Sequence, residues 1–207
     1  MSTTTPDLET ASAHEVLAYA VEQFHPRLKT ACSFQKEESV LAHMLSEIEP
    51  RAQLFTIDTG VLFPETLETW KRFEERFGLP IEVIDASSPG APWTQSNCCS
   101  AAKVDGLERA LSGVEAWVTG IRREQAPTRA AAAKLERDDQ RDIWKVNPLA
   151  DWSEKDIWNY IFKHDLPYHP LHDQGYASIG CEPCTLPGEG REGRWAGEDK
   201  TECGLHV

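Results

Sequence analysis

Arg27-Leu28-Lys29-Thr30-Ala31-Cys32-Ser33-Phe34-Gln35-Lys36-Glu37-Glu38-Ser39 is the stretch that decides the fold. Residues 27–32 read as a short strand and residues 33–39 as a polar turn. Leu41, Met44, Leu45 and Ile48 follow as a helical stripe that stops at Pro50, so the order is strand, polar turn, helix. A helix N-terminus just beyond a strand end offers free N–H groups and the positive end of the helix dipole, a natural anion site. The turn opened by Ser33 is therefore a nucleotide-binding candidate. It has no glycine and no Walker pattern, and from these residues alone an ordinary capped loop reads equally well.

The same unit recurs along the chain. Residues 52–58 read as a second strand ending in Asp58-Thr59-Gly60, and Pro64 suits a first helical turn. Trp70, Phe73 and Phe77 fall at i, i+3 and i+7 as core positions before Gly78 and Pro80 close that helix. Residues 81–85 form a third strand, and 86–97, rich in Ser, Pro and Gly, a loop. Val104, Leu107 and Leu111 mark the next helix, and residues 115–120 a fourth strand ending at Ile121-Arg122-Arg123-Glu124-Gln125. Residues 130–133 favour helix without an apolar stripe, and 143–146 form a fifth strand. Ser153-x-x-Asp156 caps a helix with Ile157, Trp158, Ile161 and Phe162 inward. Before all of these, Ser12-x-x-Glu15 opens an amphipathic helix closed by Pro26, and residues 1–10 are expected to fray.

Alternating strands and helices predict an α/β fold: a mostly parallel sheet, Rossmann-like, with helices on both faces. Ligands in such sheets sit beyond the C-terminal ends of the strands, where the 33–39, 58–64 and 120–125 turns fall. No linker interrupts residues 1–185, which read as one nucleotide-binding α/β domain. Residues 186–207 hold five glycines and little apolar surface and read as a mobile C-terminal tail.

The 207 residues carry a net charge of −13, which argues against a nucleic-acid or membrane surface but leaves room for a small anion held by local cations. The polar start implies no secretory signal, and no apolar run approaches a membrane span. A reducing cytoplasm is expected, where clustered cysteines bind metal or do chemistry. Oligomeric state stays open, a homo-oligomer being compatible with the sequence.

Five of the six cysteines lie in three places: Cys98-Cys99, Cys181-Glu182-Pro183-Cys184, and Cys203 near the end. C-x-x-C points two sulfurs at one metal ion or cluster. Adjacent cysteines diverge, which is awkward for one small ion but suits separate iron corners of a 4Fe–4S cube. That favours the cluster over zinc, with a disulfide or buried thiols as the remaining reading. Cys203 is left over for chemistry, and Cys32 reads as structural.

With these turns and cysteines in place, the chain resembles the assimilatory adenylyl-sulfate (APS) reductases, close relatives of the PAPS reductases. The matching pieces are Ser33-Phe34-Gln35-Lys36-Glu37, Asp58-Thr59-Gly60-x-Leu62-Phe63-Pro64-Glu65-Thr66, Cys98-Cys99 with Lys103-Val104, and Thr119-Gly120-Ile121-Arg122-Arg123-Glu124-Gln125. They continue in family order with Lys145-Val146-Asn147-Pro148-Leu149, Cys181-x-x-Cys184, Arg191-Glu192-Gly193-Arg194-Trp195 and Glu202-Cys203-Gly204-Leu205-His206. Ala102 stands where the family usually has a basic residue, with Lys103 retained.

The resemblance implies an adenine-nucleotide α-hydrolase-like fold and an adenylyl-sulfate reductase (thioredoxin) acting in sulfate assimilation. APS and a reduced dithiol, from thioredoxin or a similar donor, give sulfite and AMP through an S-sulfocysteine. It implies Cys98, Cys99, Cys181 and Cys184 as ligands of a 4Fe–4S cluster and Cys203 as nucleophile. A thiol near its ordinary pKa is only slightly ionised at neutral pH, so nearby cations must raise its thiolate fraction. His206 is a neighbour for that role, Lys103 lies between cluster and substrate, and Arg191 and Arg194 reach phosphate or sulfate oxygens. Arg122 and Arg123 are further substrate-binding candidates, one of them serving to support the turn. The rival enzymes are a PAPS reductase, which typically lacks the two cysteine pairs, and a cluster-bearing PP-loop tRNA thiolation enzyme, which would want a basic face. A zinc-stabilised binding module is the non-enzymatic rival and leaves Cys203 unexplained.

Overall fold

The computed structural model describes residues 7–87, 101–195 and 202. Cys98, Cys99, Cys203 and His206 lie outside the described residues. Among the described residues, six strands form one sheet in the order β3-β2-β1-β4-β6-β5. They are β1 (Leu28–Ala31), β2 (Gln53–Asp58), β3 (Ile81–Asp85), β4 (Ala116–Val118), β5 (Leu135–Asp138) and β6 (Ile143–Val146). The helices are α1 (Ala13–Phe24), α2 (Lys36–Ile48), α3 (Pro64–Phe77), α4 (Ala101–Ala110) and α5 (Glu154–His164). All strand pairs are parallel except β5 with β6. That antiparallel edge strand is absent from the sequence reading.

Side-chain alternation along the strands feeds two cores. Leu28, Leu54, Ala116, Val118 and Val146 pack with α1, α2, α3 and α5. Phe55, Ile84, Trp117 and Ile143 point the other way, onto Leu107 and Ala110 of α4. The expected helices on both faces are present, unequally: four pack with one core and one with the other. Gly106 lets α4 come close, since a Cβ there would touch Ile57, Ile84 and Ala86 side chains at 3.4–3.5 Å.

Local chemistry sets the helix ends. Ser12 with Glu15 and Ser153 with Asp156 form reciprocal capping boxes, as the sequence predicts. Gly78, at φ 64°, closes α3 in the left-handed conformation that favours glycine. Two expectations need correcting. Phe162 is 67% exposed, because Ile157 and Ile161 alone carry the buried face of α5. Residues 130–131 are turn and 132–133 irregular rather than helix, following a 3-10 turn at Pro127–Arg129.

The expected fraying of residues 1–10 does not extend to Glu9. Its Oε1 accepts the Lys134 backbone N–H at 2.8 Å and its Oε2 meets Arg123 Nη2 at 2.5 Å. The 186 boundary of the expected tail falls inside a packed segment. Leu186 N donates to Gly193 O at 2.8 Å, Trp195 N donates to Cys184 O at 3.1 Å, and Trp195 is buried. Among the described residues, no helix is long and apolar enough to cross a membrane.

Candidate active site

β1 has β2 on one side and β4 on the other, so the strand order reverses beside it. A crevice opens at the strand C-terminal ends at such a point. There a cleft of about 210 Å³ is lined by Ser33 and residues of the turn after β1, the exit of β2, Lys103 of α4, the turn after β4, and the 177–194 segment.

The turn after β1 is built under local strain. Phe34 adopts φ 60°, a costly value for a residue with a side chain. Burial offsets that cost: the Phe34 ring stacks on Trp70 at 5.3 Å and meets Phe73 edge-on at 5.5 Å. The strain turns the chain so that α2 points its N-terminus into the cleft. Glu38 closes that end, accepting from Ser33 Oγ at 3.0 Å and from the Gln35 N–H at 3.1 Å. Burial, reinforced by neighbouring Glu37, pushes the Glu38 carboxyl up to about 7. The approach of β4's exit turn to this pair requires glycine: a Cβ on Gly120 would lie 2.7 Å from Glu38 Oε1 and 2.9 Å from Glu37 Cβ.

Arg122 lines the cleft, but its guanidinium is committed to the wall. Its Nε donates to Glu37 Oε1 at 2.9 Å and its Nη1 to the Trp152 carbonyl at 3.3 Å. Burial alone would raise Glu37; the Lys36 and Arg122 charges outweigh it and hold the carboxyl below its ordinary value. Arg123 departs from the expected substrate contact. Its Nε donates to the Ala132 carbonyl at 2.8 Å and its Nη2 pairs with Glu9, so it braces the N-terminal segment and is not among the cleft-lining residues.

The 177–181 segment is laced onto the turn after β1. Lys36 Nζ donates to Ala177 O at 2.9 Å, and the Ile179 N–H donates to Gln35 Oε1 at 2.8 Å. Cys181 bridges to Leu62 in the exit of β2, with its Sγ 3.3 Å from Thr59 Oγ1. Cys181 and Cys184 are both buried, Cys181 capping and Cys184 ending a 3-10 turn, Glu182–Cys184. The Arg194 guanidinium lies over the residue before them: a Cβ on Gly180 would fall 2.2 Å from Arg194 Nη2. Arg194 is further held by the Ile179 carbonyl at 3.3 Å and by the Trp195 ring at 4.6 Å.

Two buried thiols at chelating spacing, with a cation packed against the backbone beside them, fit an anionic thiolate-ligated cluster. Among the described residues no group of three His, Cys, Asp or Glu is placed to hold a metal ion, Cys98 and Cys99 lying outside them. Cys32 is a buried thiol pushed well above its ordinary pKa by burial and by Glu38, as suits a structural role.

The structure thus brings Ser33, Lys103, Arg122, Cys181, Arg191 and Arg194 onto one cleft. Sequence reasoning missed Arg129, which also lines it and donates to Gln125 Oε1 at 2.6 Å. It also missed the structural use of Glu202, whose carboxylate meets Arg129 and Arg191. Neither has a sequence signal beyond lying near a stronger motif.

A parallel sheet whose cleft at the order reversal is walled by a helix N-terminus and several cations defines a nucleotide-binding α/β protein of the adenine-nucleotide α-hydrolase-like class. The phosphoadenosine phosphosulfate reductase domain matches residues 27–187, and the chain belongs to that family. It is 42% identical to the adenosine 5'-phosphosulfate reductase of Geobacillus kaustophilus (strain HTA426), over 97% of this chain and 92% of that protein. Among solved structures, the phosphoadenylyl-sulfate (PAPS) reductase of Candida auris, a phosphate complex, aligns with TM-score 0.73 and 27% identity over 86% of this chain and 92% of that one. The FMN adenylyltransferase of Candida glabrata shares the fold at TM-score 0.68, with 17% identity over 86% of this chain and 62% of that chain.

Proposed function

We propose that this chain reduces adenosine 5'-phosphosulfate to sulfite and AMP, with thioredoxin or a similar dithiol as reductant, in the assimilation of sulfate in the cytoplasm. The observation that carries this reading is the convergence of Ser33, Lys103, Arg194 and Cys181 on one cleft at the switch point of the sheet. The 42% identity to an adenosine 5'-phosphosulfate reductase supports APS as the substrate.

The residues divide the work by charge. The N-terminus of α2 and Ser33 face the nucleotide phosphate. Lys103, Arg191 and Arg194 meet the sulfate and phosphate oxygens and offset their charge against an incoming thiolate. The Cys203 thiolate attacks the sulfate sulfur. The new S–S bond forms as the S–O bond to the phosphate breaks, and AMP leaves with the electron pair. A reductant thiolate then attacks Cys203 Sγ and expels sulfite, leaving a mixed disulfide. The reductant's second thiol resolves it, so two electrons pass from the dithiol to sulfur. His206 and the nearby cations raise the thiolate fraction of Cys203. Turnover requires Cys203 to meet the substrate in one step and the reductant in the next.

Cys98, Cys99, Cys181 and Cys184 would hold a 4Fe–4S cluster, whose bound charge would tune the local field and the sulfate charge distribution. The buried Cys181–Cys184 turn and the Arg194 guanidinium packed on Gly180 support that donor set. PAPS reduction is the second reading, favoured by the likeness to the Candida auris enzyme, whereas the two cysteine pairs support APS.

The test is sulfite release by anaerobically purified protein with reduced thioredoxin, on APS and on PAPS in parallel. Iron with acid-labile sulfide and sulfite from APS are the expected outcome. Sulfite from PAPS alone moves the assignment to the second reading. A brown protein that releases none from either nucleotide points to the thiolation enzyme.

A further inference from the structure

Glu202 stands immediately before Cys203, and its carboxylate is held by four donors. Arg129 contributes Nη2 to Oε2 at 2.8 Å and Nε to Oε1 at 2.9 Å, a two-point grip. Thr128 Oγ1 donates to Oε1 at 2.8 Å, and Arg191 Nη2 donates to Oε2 at 3.0 Å. The site is sheltered, with the Glu202, Arg129 and Arg191 side chains 14%, 10% and 15% exposed. Burial works against the Glu202 charge, but the Arg129 and Arg191 contacts outweigh it and hold the carboxyl at about 2. The contact is therefore fully ionic across the neutral range.

The cradle is part of the cleft wall. Arg129 and Arg191 both line the cleft, so whatever the cradle holds is held at its edge. Two guanidiniums facing one carboxylate leave a net positive charge, so Glu202 occupies the cradle without cancelling its attraction for an anionic substrate. Covalent geometry adds the consequence. Consecutive Cα atoms are about 3.8 Å apart, so a chain pinned at residue 202 leaves only a few torsions between the anchor and the next side chain. An unpinned nucleophile must instead lose that freedom at each encounter, a loss that positioning removes from the barrier.

We propose that Glu202 is a positioning residue: the Arg129–Thr128–Arg191 cradle takes its carboxylate as the anchor of the C-terminal segment and thereby delivers Cys203 to the substrate cleft. This rests on the reading of Cys203 as the nucleophile. It assigns Arg129 a function and gives Arg191 a second task beside substrate charge. It also sets a requirement on turnover: the anchor must release for the reductant to reach the sulfonated sulfur.

The experiment is a single turnover of the anaerobic, cluster-loaded enzyme with saturating APS and no reductant. It follows AMP formation and the sulfonate mass on Cys203, alongside AMP affinity by calorimetry. Glu202→Gln is expected to slow sulfonation about 10- to 100-fold, the range expected for losing charge-assisted contacts that position a reacting group. AMP affinity and unfolding midpoint should stay at wild-type values, and Glu202→Asp should recover part of the rate. That split separates positioning from a general loss of structure. A Gln variant as fast as wild type overturns the inference, as does a loss of AMP affinity that matches the loss of rate. A Gln variant that is faster and binds AMP more tightly also overturns it, by showing that the cradle belongs to the substrate. Cys203→Ser, run in parallel, must form no AMP. If it does, the underlying reading of the nucleophile fails, whatever Glu202 does.

Discussion

Arg122 and Glu37 meet in the wall of the cleft, Nε to Oε1 at 2.9 Å, with only 3% and 6% of their side chains exposed. The pair ties the turn after β4 to the first turn of α2, the two elements on either side of the switch point. A buried ion pair adds little to stability over apolar packing, but removing one partner strands the other charge. Arg122→Met is therefore expected to destabilise the fold by about 3–5 kcal/mol. Adding Glu37→Gln should recover most of the loss. Denaturant unfolding of the single and double variants checks this. Equal stability of Arg122→Met and wild type would mean that the guanidinium faces solvent or ligand instead.

Gly120 permits the contact between the same two elements. A methyl group there meets the buried Glu38 carboxyl and the Glu37 Cβ at under 3 Å, so one of these groups or the turn itself must shift. Gly120→Ala should cost about 1–3 kcal/mol through overpacking and weaken AMP binding by displacing the N-terminus of α2. Calorimetric titration with AMP and a melting curve report the two effects. Gly113→Ala, at a glycine with open space around its Cβ position but a φ of 78°, should cost stability through backbone strain and leave AMP binding untouched.

One buried histidine, His169, and one half-buried, His172, make the fold sensitive to acid. His169 Nδ1 accepts the Leu171 N–H at 3.3 Å, which leaves Nε2 to donate to Thr66 Oγ1 at 2.9 Å. His172 Nδ1 donates to the Tyr176 carbonyl at 2.7 Å, and its buried Nε2 has no hydrogen-bond partner among the described residues. Burial lowers both to about 4, helped at His169 by His172 and at His172 by Lys36. In the unfolded chain each takes up a proton near 6.5, so between 6.5 and about 4 the unfolded state binds more protons than the native state. Stability should fall as pH drops through that window, and His172→Gln should flatten the fall. Unfolding midpoints measured across the window would contradict this if they stayed level.

The strand–turn–helix order was legible because each unit carries its own signal: an apolar strand, a polar break, and a stripe at helical spacing. What escaped lacks such periodicity. β5 is four residues at a sheet edge, Leu135-Glu136-Arg137-Asp138, with no buried position, so no alternation announces it. The alanines at 130–133 have helical propensity but no apolar face to bury, and propensity alone does not hold a helix in water. Phe162 sits beside the inward stripe of α5 and packs on Trp158 and Tyr168 from the solvent side, whereas Trp158 is partly buried against the core as its spacing predicts.

At the site, Ser33, Lys103, Cys181 and the 191–194 arginines could be read because they stand in compact motifs. Arg122 and Arg123 could not be told apart, since neighbouring side chains diverge and only the tertiary partners, Glu37 and Glu9, decide which faces the cleft. Arg129 and Glu202 are 73 residues apart, and only folding makes them a pair.

The central claim is that Cys203 takes the sulfonate from the nucleotide. The most direct measurement is the intact and peptide mass of anaerobic protein after incubation with APS and no reductant. One sulfonate on Cys203, with one AMP formed per chain and both absent in Cys203→Ser, is the predicted result. AMP formation with Cys203 unmodified, or the sulfonate on another cysteine, would contradict it.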